Sequence, residues 1–165
     1  MNRKLLTAAA LLVSSAAFAQ TETHFAQVTK VDSFFGVPLN QPPSLPSCDA
    51  TTTVRCVRMD GKDLVVNEKP LGGPFVLTLD SNGNVGTVYV YFSPGTEKTV
   101  HEAMVTKFGD PYFESGAGAL WHIGGVTLYY APSGDHPCVT AMTTQAQQER
   151  EAKKSSEVNS VADKF

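Results

Sequence analysis

Three side chains near the C-terminal third, His136, Cys138 and Met142, place an imidazole, a thiol and a thioether within seven residues. Soft donors of this kind suit copper, and imidazole with thiolate also suits zinc. Their order along the chain, His before Cys before Met, differs from the Cys, His, Met order of familiar blue-copper loops, and no second histidine is assigned by spacing. Cys138 beside His136 is also the raw material of a thiol nucleophile, but a separation of two residues says little about reach. His101-Glu102 begins like a zinc-protease helix motif, yet Val105 stands where the second histidine belongs. That pair reads as two solvated helix residues. There is no Gly-x-Ser-x-Gly, no phosphate loop and no Cys-x-x-Cys. The sequence therefore predicts a protein that is not an enzyme and holds no resident cofactor or metal. A metal-binding (copper or zinc) or thiol-dependent protein built on His136, Cys138 and Met142 is the alternative.

A second group of residues suggests contact rather than catalysis. Tyr89, Tyr91 and Trp121, with Tyr129 and Tyr130, fall on segments expected to be strands of one sheet. Tyr and Trp supply large, rigid contact surfaces and are enriched at interfaces. Tyr89, Tyr91 and Trp121 are the candidate partner-binding residues. Singly exposed aromatics are ordinary, so the informative observation is a contiguous patch.

The start of the chain bears on where this chemistry takes place. Arg3 and Lys4 precede an uncharged apolar run from Leu5 to Phe18, and Ala17-Phe18-Ala19 presents the small residues accepted by a signal peptidase. Residues 1–19 read as a signal peptide cleaved after Ala19, and the apolar run is too short to cross a bilayer as a helix. The expected location is the periplasm, with no membrane insertion after the leader is removed. Loss of Arg3 and Lys4 reduces the 13 basic residues to 11 against 16 acidic ones, a formal charge of −5. Such a chain lacks the electrostatic footprint of a nucleic-acid binder and has little attraction to anionic lipid. The expected partner is another protein of the cell envelope.

Export places the three cysteines in an oxidising compartment. Three pairings are open. Cys48–Cys56 is favoured because it closes a short loop after the Pro-rich segment Gln41–Ser47, which leaves Cys138 as a buried free thiol.

These groups must be positioned by strands and two helices. Phe25 to Phe35 reads as a first strand. Asp60-Gly61-Lys62 joins Val54–Met59 to Asp63–Asn67 as a hairpin. Phe75, Leu77 and Leu79 alternate on one strand, the turn Asp80–Asn84 follows, and Val85 to Phe92 runs back. Ser93-Pro94 opens a helix with Ser93 or Thr96 as its cap. Its apolar stripe is Val100, Ala103, Met104 and Phe108, and Gly109 with Pro111 ends it. Gly124-Gly125 joins Ala119–Ile123 to Val126–Tyr130. Cys138 to Met142 is the last strand. Thr144-x-x-Gln147 resembles a capping box that opens a C-terminal helix, with Val158, Val161, Ala162 and Phe165 on one face. Connections this short exclude parallel crossovers. The prediction is an α+β fold: an antiparallel β-sheet built from hairpins, one central helix packed on it, and a C-terminal helix. Residues 20–144 form the domain and 145–165 the helical tail. Phe35-Gly36-Val37-Pro38 and Phe108-Gly109-Asp110-Pro111 share the pattern Phe-Gly-x-Pro, punctuation of a kind that recurs at element ends.

The segments Phe34–Leu39, Leu45-Pro46-Ser47-Cys48 and Lys107–Pro111, together with the strand bearing Trp121, resemble small uncharacterised exported proteins of Gram-negative bacteria over about residues 28–144. The helix-Gly-x-Pro-strand arrangement is also similar in kind to β-lactamase-inhibitor-like and outer-membrane assembly accessory domains. Those bind proteins rather than catalyse, and the similarity assigns no residue here. Together these readings imply a non-enzymatic periplasmic protein-binding module of inhibitor, immunity or envelope-accessory type.

Overall fold

The alternation of Phe75 and Leu77 with Val76, and of Val88, Val90 and Phe92 with Tyr89 and Tyr91, becomes a pair of long antiparallel strands at the centre of the sheet. The computed structural model describes residues 28–49, 51, 54–134 and 136–162. The leader, its cleavage point, Phe25 and Phe165 lie outside the described residues.

A two-stranded hairpin comes first, β1 (Ser33–Phe34) and β2 (Val37–Pro38). Eight further strands form one antiparallel sheet: β3 (Val57–Asp60), β4 (Asp63–Val66), β5 (Gly72–Leu79), β6 (Val85–Phe92), β7 (Phe113–Ser115), β8 (Gly118–Ile123), β9 (Val126–Ala131) and β10 (Cys138–Thr143). Their order is β3-β4-β5-β6-β10-β9-β8-β7. Each half is a four-stranded meander, and the two meanders join where β6 pairs with β10. The two Phe-Gly-x-Pro segments each precede one meander, yet the first turns a hairpin while the second ends a helix. Helix α1 (Glu97–Phe108) connects the meanders, and α2 (Thr144–Ala162) follows β10.

One face of the sheet carries the core. Phe75, Leu77, Val88, Val90, Leu128, Val139 and Ala141 are fully buried. Helix α1 covers this face through Val100, Met104 and Phe108, spaced by four residues so that they share one side of the helix. Ala103, counted in the apolar stripe, is instead exposed. The helix stops at Gly109, whose φ of 80° suits glycine and whose N–H donates to the Val105 carbonyl at 2.8 Å. Its start takes the second of the two expected cap positions. Ser93-Pro94-Gly95 makes a turn, Thr96 is the N-cap residue, and the Thr96 hydroxyl donates to the Ser93 carbonyl instead of capping the helix.

The hairpins follow glycine. Gly124 and Gly125 have φ of 56° and 82°, the conformation that a tight two-residue turn requires. The expected strand from Phe25 to Phe35 is instead the β1–β2 hairpin, because Phe35 and Gly36 take φ of 48° and 73° and reverse the chain. An aromatic residue at positive φ is strained, and Phe35 is held from two sides. Arg55 Nη2 donates to its carbonyl at 2.6 Å, and its ring meets Phe34 and Phe75 edge-on. Arg55 also pairs with Glu68 at 3.1 Å and lies over the Phe75 ring. Arg55→Ala is expected to lower stability by about 1–2 kcal/mol in chemical denaturation, since it removes a charged hydrogen bond and exposes a strained turn.

Cys48 and Cys56 form the disulfide, with Cα atoms 5.1 Å apart. The loop that it closes is also tied through Asn67. The Asn67 side chain accepts from the Cys56 N–H at 2.9 Å and donates to the Val54 carbonyl at 3.0 Å. Cys138 is free. Among the described residues no helix is long and apolar enough to cross a membrane.

Candidate binding face of the sheet

The alternation that buries Val88 and Val90 turns Tyr89 and Tyr91 to the face opposite α1. Strand register then fixes their neighbours. Tyr89 lies opposite Thr140 of β10, Thr140 opposite Tyr129 of β9, Tyr129 opposite Leu120 of β8, and Leu120 opposite Phe113 of β7. On the other side of Tyr89 come Val76 and Val65. One row, apolar and aromatic except for the buried Thr140, therefore crosses the sheet and reaches the open edge strand β7. Along the row Tyr89 and Leu120 are half-buried, Thr140 is buried, and Tyr129 at 40% and Phe113 at 53% are exposed. Tyr91 stacks on Tyr89 with centroids 6.5 Å apart, and His136 meets Tyr91 edge-on at 6.0 Å. Burial pushes the phenols of both Tyr89 and Tyr91 above their ordinary pKa, with the Arg150 guanidinium pulling Tyr89 partly back.

The first turns of α2 border this face. The Thr143 hydroxyl caps the helix by accepting from the Ala146 N–H at 3.2 Å, while the Thr144 hydroxyl, the expected cap, donates to the Gly125 carbonyl. Thr127 donates to Gln147 at 3.1 Å, and the Ser81 N–H and hydroxyl donate to Glu149. The Ser81 hydroxyl, the Gln145 amide and the Ser81 N–H, all donating to Glu149, hold its carboxyl below its ordinary pKa. A groove of about 430 Å³ remains between helix and sheet, floored by Leu120, Tyr129, Thr140 and Met142 and walled by Arg150, Glu151 and Lys154. None of the α2 residues is buried, and residues 150–162 are exposed throughout. The helix approaches only because residue 86 is glycine, where a Cβ would stand 2.9 Å from the Ala146 Cβ and 3.3 Å from Asp80 atoms. Gly86→Val is expected to displace α2. Faster amide exchange over residues 144–150, with the core strands unchanged, would show it.

Trp121 does not belong to this surface. It follows the inward parity of β8, is 1% exposed, and donates Nε1–H to the Gly109 carbonyl at 2.8 Å. Its neighbour His122 points outward and meets Thr127 at 3.1 Å. Tyr130 is likewise buried, its hydroxyl donating to the Glu97 carbonyl. His101 also departs from expectation. It sits between Trp121 and Tyr130 with Nε2 3.2 Å from Glu114, whereas Glu102 is solvated near Lys98. Phe113, on a three-residue edge strand, carried no sequence signal because the segment has neither length nor alternation. Leu120 could have been read from its opposition in parity to Trp121.

His136, Cys138 and Met142 do not converge. Cys138 and Met142 are on one extended strand, four residues and so ~13 Å apart, too far to share an ion. Cys138 neighbours Tyr91 and Ala131 and is half-buried, with Sγ 3.7 Å from the Thr140 hydroxyl. Among the described residues no three His, Cys, Asp or Glu side chains group in a metal-binding arrangement. Burial pushes the Cys138 thiol up, the reverse of an activated thiolate. Alkylation of Cys138 by iodoacetamide is accordingly expected to rise with pH through a midpoint above that of a free cysteine peptide. A midpoint below it would revive the thiol-dependent reading.

No family model, curated protein or solved structure matches the chain.

Proposed function

We propose that this protein is a non-enzymatic periplasmic binding module whose partner is another protein of the cell envelope, docked on the sheet face that carries Tyr89, Tyr91 and Tyr129. The observation behind this reading is that Tyr89, Tyr129, Leu120 and the exposed Phe113 share one face and one row of the sheet. It joins rigid aromatic anchors to an open sheet edge and is bordered by the charged wall of α2. An interface of this make-up, apolar in the middle and charged at the rim, is what a specific protein partner requires. The leader-like N-terminus and the disulfide support the same reading.

The test is comparative capture from periplasmic extract after mild cross-linking. Tyr129→Arg places an unpaired charge in the middle of the row. A specific partner should be lost at least tenfold, because a hot-spot residue near an interface centre costs about 2 kcal/mol or more when it is replaced. Met59→Arg, on the far edge strand β3 where Met59 is 66% exposed, should capture that partner as the parent does. Equal capture by both variants would refute the outer-face interface.

A further inference from the structure

On the face of the sheet covered by α1, a crevice of about 260 Å³ opens between that helix and the β1–β2 hairpin. Phe34 and Phe35 form one wall, and Val100, Ala103 and Met104 form the other. Val139, fully buried at the centre of the sheet, is at its base. Protein interiors are normally packed to crystal-like density with few voids larger than a water. A water here would meet almost no polar partner, so the space is poorly suited to solvent. An enclosed apolar cavity of ~150 Å³ is already enough to take a benzene ring. The volume is below the roughly 300–1,000 Å³ of pockets for drug-sized ligands, which restricts the occupant to a small molecule or one short alkyl chain. The hairpin wall is fixed in advance, since Arg55 holds the Phe35 carbonyl and Phe35 packs on Phe34 and Phe75.

One charged side chain lines this crevice. Lys107 is exposed beside the opening, with Nζ 5.4 Å from the Phe108 ring centroid. No carboxylate lines the crevice. The chemistry is therefore an apolar slot with a single cation near its mouth, which selects an anionic head group over a neutral or cationic one.

We infer that the crevice binds the alkyl chain of a medium-chain fatty acid, with Lys107 pairing with the carboxylate. This site is separate from the outer face, and a failure of one reading leaves the other standing.

The test is calorimetric titration of the full mature chain with hexanoate, octanoate and decanoate, each below its micelle concentration. Affinity should rise by up to about fourfold per added methylene until the crevice is full. Decanoate should bind more tightly than decanol and decylamine. Lys107→Met should weaken decanoate about fivefold, to the level of decanol, as expected for a partly exposed ion pair. Ala103→Phe, a change at an exposed helix position, should fill the opening and abolish binding with little change in Tm. Should that variant be unstable, the decanoate-to-decanol ratio in Lys107→Met decides. Tyr129→Arg should bind decanoate like the parent. Absence of saturable binding, no dependence on chain length, decylamine equal to decanoate, or full binding by a folded Ala103→Phe would each overturn the inference.

Discussion

Trp121→Ala is expected to lower stability by about 3–5 kcal/mol, the usual range when a large aromatic is truncated in a packed core. For a domain of this size that corresponds to a fall in Tm on the order of 10 °C or more. Trp121 is 1% exposed, packs near His101, and gives its indole N–H to Gly109 at the end of α1. The substitution removes core volume and leaves a helix-terminal carbonyl without its donor. Trp121→Phe should recover most of the volume but not the hydrogen bond, and so fall between the two. Thermal unfolding of the three proteins measures this. A Trp121→Ala variant with unchanged Tm would mean that the indole is a surface group.

Removal of the disulfide should have the second-largest effect. Cys48 and Cys56 close a loop with a sequence separation of 8. The chain-entropy model gives about 2–3 kcal/mol for so short a loop. The Cys48→Ser/Cys56→Ala double variant should lose about this much in urea denaturation, and dithiothreitol should bring the parent to the same level without affecting the variant. The loss should be centred on the loop before β3, because Asn67 still ties Cys56 and Val54 to the end of β4. Equal stability of oxidised and reduced parent would show that these side-chain bonds, rather than the cross-link, order the segment.

Much of the fold was legible because local rules and the global structure agree. Phe75 and Leu77 alternate as a half-buried strand must, Gly124-Gly125 supplies two left-handed residues at a hairpin, and Gly109 with Pro111 ends α1. The misreadings have local causes too. The apolar residues before Gly36 resemble a strand, but Phe35 takes a positive φ, held by Arg55, twenty residues later, at its carbonyl and by Phe34 and Phe75 at its ring. Ser93-Pro94 fits a helix start, yet the chain uses it as a turn and starts α1 at Glu97.

The candidate surface divides in the same way. Alternation alone determined that Tyr89 and Tyr91 share a face and that His122 opposes Trp121, and the short connections determined that the sheet is antiparallel, because each depends only on neighbours along the chain. Which face is covered depended on tertiary structure. The side on which α1 docks made Trp121 and Tyr130 core residues and left Tyr129 exposed. The pairing of β10 between β6 and β9 set Tyr89, Thr140 and Tyr129 side by side although they are far apart in sequence. Strand parity is fixed by the geometry of the peptide chain. Strand order and helix placement are set by the shared burial of residues from every element, which no single segment encodes.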